Sequence, residues 1–165
     1  MKILKVRDVK TPTRGTSKSA GIDFYVPNSF KPTTLHPSCD ILIPSGIKAN
    51  IGEGLMLMGA EKSGVTSSTS AVIASGREPK NGSYDSPTVL GAKIVDEDYQ
   101  GEIHIHIINL GKHDITIMPG KKIAQFILVP VVYDEITEVQ TEEELFSGVI
   151  TERSDKGFGF GTGEN

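Results

Sequence analysis

The stretch "GAKIVDEDYQGEI", residues 91–103, gathers Asp96, Glu97, Asp98 and Glu102 into seven positions. Neighbouring like charges repel, so such a cluster is either a well-solvated turn or a place where a carboxylate works. Asp96 stands at the inner end of the turn, where a carboxylate can hold and deprotonate a water. Tyr99 adds a flat face. The pattern reads as a hairpin tip with an incoming strand at 91–96, an outgoing strand at 102–109 and Gly101 in the turn. A splayed hairpin leaves backbone N–H and C=O groups unpaired, and those groups can pair with a flat base edge much as another strand would.

Four other stretches carry residues suited to an anionic ligand. "SAGIDFYVP" (19–27) places Asp23 after a small-residue turn. "EKSGVTSS" (61–68) supplies Lys62, Ser63 and Gly64, an ammonium, a hydroxyl and turn amides that suit phosphate oxygens. "PGKKIAQFILVP" (119–130) holds Gln125 in an apolar strand, where an amide needs a partner. "RSDKGFGFGTG" (153–163) joins Arg153 to a Gly-rich loop with two aromatics. His104 and His106 lie two apart on one strand face and are potential metal ligands. No third ligand is indicated by spacing, and a half-exposed strand face carries polar residues anyway.

These residues need a frame, and the chain is long enough for one domain with a single core at 165 residues. Hydrophobic residues make up 37% and charged residues 23%, which separates the chain from disordered sequences. The 18 Gly and 9 Pro favour short strands and turns over long helices. A net charge of −4 provides no global basic field, so nucleic acid is not an expected partner. An anionic substrate then needs local basic groups, amides or a metal. Cys39 is the sole cysteine and excludes an internal disulfide, which fits a reducing compartment such as the cytoplasm, the host's if the source is viral. Cys39 itself reads as a small core or loop residue. "MKILKVRDVK" lacks the apolar centre of a secretory leader, and "FILVPVV" (126–132) is too short to span a bilayer, so no membrane partner is expected.

Strand signals dominate the rest. "KILKVR", "DILIPSGIKANI" (40–51), "EGLMLMGAE" (53–61), "LGAKIVD" (90–96), "EIHIHIIN" (102–109), "DITIM" (114–118) and "KKIAQFILV" (121–129) follow one another with Gly or Pro between most of them. The expected fold is all-β, a jelly roll or β-sandwich of short strands with at most one or two short helices. A short helix is expected within 64–75 and a polar loop at 77–87. "TEEELF" (141–146) opens on a Thr-x-x-Glu capping signature and predicts one helical turn. A single domain over 1–152 followed by a mobile Gly-rich tail at 153–165 completes the organisation.

"AGID", "EKSG", "IVDEDYQGE", "GKKIAQ" and "RSDKGFGFGTG", in this order, resemble the five motifs of the trimeric dUTPase family (deoxyuridine triphosphate nucleotidohydrolases). The resemblance runs from about residue 19 to 163. It implies a jelly-roll homotrimer with three active sites between subunits, hydrolysing dUTP to dUMP and pyrophosphate with Mg²⁺ across the triphosphate. By position, Asp96 activates the attacking water and Tyr99 packs on the deoxyribose, excluding a ribose 2′-hydroxyl. The backbone around Leu90, Ile94, Val95, Asp96 and His104 reads the uracil. Lys62, Ser63, Gly64 and Gln125 contact phosphates. Asp23 supports the metal's water shell or the closed tail. Arg153 reaches the γ-phosphate, and Phe158 covers the uracil with Gly159 beside it among the substrate contacts. Departures from the family are Lys62 for Arg, Leu90 for Asn, Lys93 for Gly and Phe160 for a small hydroxyl residue, and the segment between Ser63 and Asp96 is longer than usual. The related dCTP deaminases share the fold but need a different acid near the base. A dUTPase-like protein that binds nucleotide or a partner as a regulator is the non-enzymatic alternative, kept open by the long 69–89 segment.

Overall fold

Alternation in "HIHIIN" is obeyed residue by residue. Ile105, Ile107 and Asn109 turn inward, while His104, His106 and Ile108 stay on the outer face. The computed structural model describes residues 1–61 and 88–155. It contains two units, residues 1–132 and 133–165.

The first unit is built from strands. β1 (Lys2–Lys5), β2 (Thr13–Arg14), β3 (Gly21–Tyr25) and β4 (Thr33–Leu35) come first. β5 (Asp40–Pro44), β6 (Ile47–Asn50) and β7 (Leu55–Ala60) follow. β8 (Thr88–Leu90), β9 (Ile94–Val95), β10 (His104–Asn109), β11 (Ile115–Ile117) and β12 (Lys122–Pro130) complete it. A five-stranded sheet has the order β2-β3-β12-β7-β9, and a three-stranded sheet the order β5-β10-β8. Two smaller pairs are β1-β6 and β4-β11. Every described pairing is antiparallel. This is the expected all-β fold of short strands.

One core joins the sheets. Phe24, Leu57 and Phe126 come from the five-stranded sheet, Ile43, Ile105 and Ile107 from the three-stranded sheet, and Leu35, Ile115 and Ile117 from the β4-β11 pair. Each such side chain contributes about 1.5–3 kcal/mol when fully buried. The Phe24 and Phe126 rings meet at 4.6 Å between centroids, tilted by 55°. Asn109 is fully buried but has its partners. Its amide donates to the Leu35 and His113 carbonyls, and its oxygen accepts from the Gly111 N–H. The polar group is therefore satisfied, and it fixes the turn between β10 and β11.

One strand differs from expectation. Residues 90–96 do not form a single strand. β8 ends at Leu90 in the three-stranded sheet, and β9 begins at Ile94 in the five-stranded sheet. The crossing runs through exposed Gly91, Ala92 and Lys93. Gly91 passes so close to the His106 ring that a Cβ there would lie 2.1 Å from Nδ1.

The second unit is described through residue 155. Its helix α1 (Glu142–Phe146) is capped by the Thr141 side chain, which accepts from the Glu144 N–H, as the capping signature predicts. The helix expected within 64–75, the loop at 77–87 and the part of the tail beyond 155 lie outside the described residues. Cys39 is an exposed free thiol in the turn before β5. Among the described residues no helix is long and apolar enough to cross a membrane.

Candidate active site

The hairpin around the acidic turn is closed at its base and open at its tip. At the base, Thr88 opposes Asn109, Val89 opposes Ile108 and Leu90 opposes Ile107, and Gly91 N–H donates to the His106 carbonyl at 3.0 Å. Beyond that bond the arms part. Ile94 and Val95 pair with Met58 and Leu57 of β7, while His104 and Ile105 pair with Pro44 and Ile43 of β5. The two arms expected to flank the turn thus belong to different sheets.

Strand alternation then decides which groups face the gap. Lys93 C=O accepts from Gly59 N–H, so Val95, two residues on, also turns its backbone toward β7. The N–H and C=O of Ile94 therefore point away from β7, toward the opposite arm. On that arm, Ile103 donates to the Ile47 carbonyl and accepts from Ser45 N–H. His104 must point the other way, into the gap. Among the described residues neither strand edge has a backbone partner on this side, and the two face each other there. The cavity between them, about 150 Å³, is lined by Ile94, Val95, Asp96, Tyr99, Ile103 and His104.

The acidic cluster divides its labour. Glu97 accepts from the Gly54 N–H. Glu102 accepts from Arg7 Nε at 2.7 Å, Arg7 Nη2 at 2.9 Å and Gly46 N–H at 2.7 Å. The Arg7 hydrogen bonds, with the Gly46 amide, hold the Glu102 carboxyl below the usual carboxylate range and raise Arg7 in turn. Asp98 is exposed. Asp96 remains exposed at the cavity, and its carbonyl accepts from Tyr99 N–H at 3.2 Å to close the turn.

A second group of expected residues lies elsewhere on the five-stranded sheet. Asp23, Gln125 and Ala60 stand opposite one another across β3, β12 and β7. The Asp23 carboxylate is buried and ion-paired with Lys122 Nζ at 2.6 Å, which holds that ammonium above the usual lysine range. Gln125 finds its partner in the Glu61 carbonyl, to which Nε2 donates at 2.9 Å. Its side chain lies over Gly21, where a Cβ would meet Oε1 at 2.0 Å. Glu61 immediately precedes the Lys62-Ser63-Gly64 stretch. Its carboxylate accepts from Lys93 Nζ at 2.5 Å and from the Leu90 N–H at 3.3 Å, chiefly the lysine holding it below the usual range.

Leu90 stands apart from the cavity. Its side chain is core, because an apolar residue opposite Ile107 faces inward, and Glu61 takes its N–H. His104 Nδ1 donates to the Glu102 carbonyl and His106 Nε2 bonds Asp40, so the two imidazoles serve separate contacts. Arg153 belongs to the second unit. A recess there, about 360 Å³, joins Phe146, Val149 and Ile150 with Glu142 and Asp155 and contains none of the residues singled out for chemistry. Lys62, Ser63, Gly64, Phe158 and Gly159 lie outside the described residues. Ile103 is new to the cavity, and Arg7 and Glu61 are new among the residues that support it, while Glu102 of the acidic cluster proves to be a structural anchor. The one local sign of them is a charged residue at the edge of an apolar strand, as Glu102 is before β10.

The model of the dUTPase family matches residues 64–161. The deoxyuridine 5′-triphosphate nucleotidohydrolase of Caldanaerobacter subterraneus subsp. tengcongensis is 32% identical over 153 residues, covering 93% of this chain and 88% of that protein. The chain belongs to the dUTPase family. A second member, from Fusobacterium nucleatum, is 33% identical and covers 96% of this chain and 94% of its own. Among solved structures, the dUTPase of Staphylococcus bacteriophage 80alpha bound to dUpNHpp superposes with a TM-score of 0.73 at 22% identity, over 96% of this chain and 95% of that one. A mutant dUTPase of phage phi11 of S. aureus, described with a structural Mg(II) ion, aligns at a TM-score of 0.68 and 20% identity over 86% of this chain and 97% of that one. These structural likenesses support the dUTPase β-fold.

Proposed function

We propose that this chain is a dUTP diphosphatase that hydrolyses dUTP to dUMP and pyrophosphate at the open hairpin, with Asp96 as the base. Family membership supports the reaction. The observation that carries the residue assignment is the cavity itself, where two unpaired strand edges, an exposed carboxylate and an aromatic ring converge. In this reading the edges at Ile94 and His104 hydrogen-bond the uracil, as a third strand would. Val95 and Ile103 wall the slot. The Tyr99 ring lies on the deoxyribose and leaves no room for a 2′-hydroxyl.

Asp96 accepts a proton from a water, whose oxygen attacks the α-phosphorus. The bond from that phosphorus to the α–β bridging oxygen breaks, and pyrophosphate leaves. The chain contributes no covalent nucleophile, so positioning and charge neutralisation carry the rest. Lys62, Ser63, Gly64 and Gln125 bind phosphate oxygens. Arg153, Phe158 and Gly159 close over the nucleotide from the tail. Among the described residues no three acidic, imidazole or thiol groups cluster as a cage. The buried Asp23 carboxylate is a hard oxygen donor of the kind that suits Mg²⁺, and it would act on the ion through water. When bound, the ion would supply charge neutralisation along the triphosphate.

The sites are shared between copies in a homotrimer. Asp96 follows Val95, which opposes Leu57, and Gln125 opposes Ala60 on the other side of β7. At about 3.4 Å per residue and about 4.8 Å per strand, roughly 16 Å separates Asp96 from Gln125 in one chain. That spacing, measured between Cα atoms, favours a water on Asp96 attacking a nucleotide whose phosphates rest on another copy. The enzyme works in the cytoplasm, on free nucleotide. Incubation with dUTP, dCTP, dTTP and UTP plus Mg²⁺ tests the reading. Release of dUMP and pyrophosphate from dUTP supports it, and ammonia from dCTP or no turnover of dUTP contradicts it.

A further inference from the structure

Five hydrogen bonds converge on Glu102, and they join the substrate slot to the start of the chain. Its carboxylate, 14% exposed, receives the two Arg7 bonds and the Gly46 N–H. Its carbonyl receives the Tyr99 hydroxyl at 3.0 Å and His104 Nδ1 at 2.8 Å. Tyr99 and His104 both line the cavity, whereas Arg7 does not. A guanidinium meeting a carboxylate with two parallel bonds fixes orientation as well as distance. Here the fixed object is the peptide whose carbonyl holds the aromatic ring. The arm is also pinned on its back edge, because Ile103 exchanges backbone bonds with Ser45 and Ile47, and Val6 N–H bonds the Gly46 carbonyl beside Arg7. Arg7, the 45–47 turn and Glu102 thus form one brace behind the slot. A half-exposed ion pair adds little to overall stability, so its value lies in placement.

We propose that the Arg7–Glu102 pair is a positioning device that sets the Tyr99 ring against the sugar and thereby governs the preference for dUTP over UTP. The proposal rests on the reading of the cavity as the nucleotide slot. Arg7 acts through Glu102 and touches no substrate. Lysine at this position would keep the charge and lose the fork.

The test compares wild-type protein with Arg7→Gln and Arg7→Lys, all checked for melting temperature and assembly. Kinetics with dUTP and UTP are read alongside equilibrium binding of the non-hydrolysable analogue dUpNHpp. Arg7→Gln should raise KM for dUTP about tenfold, leave kcat within about twofold, and reduce the dUTP-over-UTP ratio of kcat/KM about tenfold. Arg7→Lys should fall between. Analogue binding should weaken in the same order. Unchanged KM, ratio and binding in Arg7→Gln would overturn the proposal, as would a fall in kcat with a raised KM that tracks a lowered melting temperature. Wild-type protein that binds the analogue but does not turn over dUTP would contradict the hydrolase reading instead, and the binding series would still decide the role of the pair.

Discussion

The Tyr99 hydroxyl donates to the Glu102 carbonyl, and this bond folds the ring back over Gly101. The fold-back is possible because position 101 has no side chain. A Cβ there would stand 2.3 Å from the Tyr99 hydroxyl oxygen and 2.4 Å from Cζ. Gly101→Ala should therefore push the ring off its place while leaving the buried core intact. The expected result is a KM for dUTP raised by roughly tenfold or more, with weaker exclusion of UTP. Steady-state kinetics on both nucleotides check it, and an unchanged preference would show that the ring does not read the sugar.

The pH dependence of stability follows from Glu61 and Glu102. Both carboxyls are held below their ordinary value, Glu61 chiefly by Lys93 and Glu102 chiefly by Arg7. The folded state therefore binds these protons less readily than the unfolded chain. Their contribution is complete above the unfolded glutamate value of about 4.3 and is lost as pH falls through the lower folded values. Melting temperature should decline below about pH 4.3, and more gently in Lys93→Ala, which lacks one of the pairs. Half-exposed cations are screened, so added salt should shrink the difference. An identical acid limb in wild type and Lys93→Ala would contradict this assignment.

Shared sites make a prediction that a self-contained site does not. On the proposed roles, Asp96→Asn removes the base, and Gln125→Ala removes a phosphate contact near the far end of β7. Each variant alone should be strongly impaired. Co-refolded together, they should regain activity, because some sites in mixed trimers draw both intact residues from different copies. Light scattering should give the mass of three chains. No regain in mixed assemblies, or an active monomer, would refute the shared arrangement.

The glycine-rich tail should matter for turnover and not for folding. Gly157, Gly159, Gly161 and Gly163 each cost roughly 0.5–1 kcal/mol more than alanine to order. Bound nucleotide can offset that cost through contacts from Arg153 and Phe158. A chain stopped after Glu152 should fold and assemble yet lose most of its activity. Full-rate hydrolysis by the shortened chain would remove the tail from the mechanism.

Much of this architecture is legible locally. The alternation of "HIHIIN" announces which isoleucines face the core, Pro119-Gly120 announces its turn, where Gly120 takes φ +73°, and Thr141 announces the cap of α1. Asp96 and Tyr99 are legible because a turn puts chemistry into adjacent positions. The division of residues 90–96 between two sheets is not, since "LGAKIVD" has the composition of one strand and its break depends on partners in β7 and β10. The brace on Glu102 is equally hidden. Arg7 lies 95 residues away, and no local spacing relates them. Leu90 shows the same limit, because its burial opposite Ile107 and the use of its amide by Glu61 are properties of the folded sheet.

The central claim is that Asp96 activates the water that splits dUTP, and the most direct measurement is the turnover of Asp96→Asn beside wild type. The substitution keeps the size of the side chain and removes its ability to take a proton. Quantifying dUMP and pyrophosphate, with dUpNHpp binding measured on the same preparations, should show wild-type release of both products. In Asp96→Asn the analogue should bind nearly as well while turnover falls by roughly 10²-fold or more. Near-normal turnover in that variant would place the base elsewhere and contradict the account.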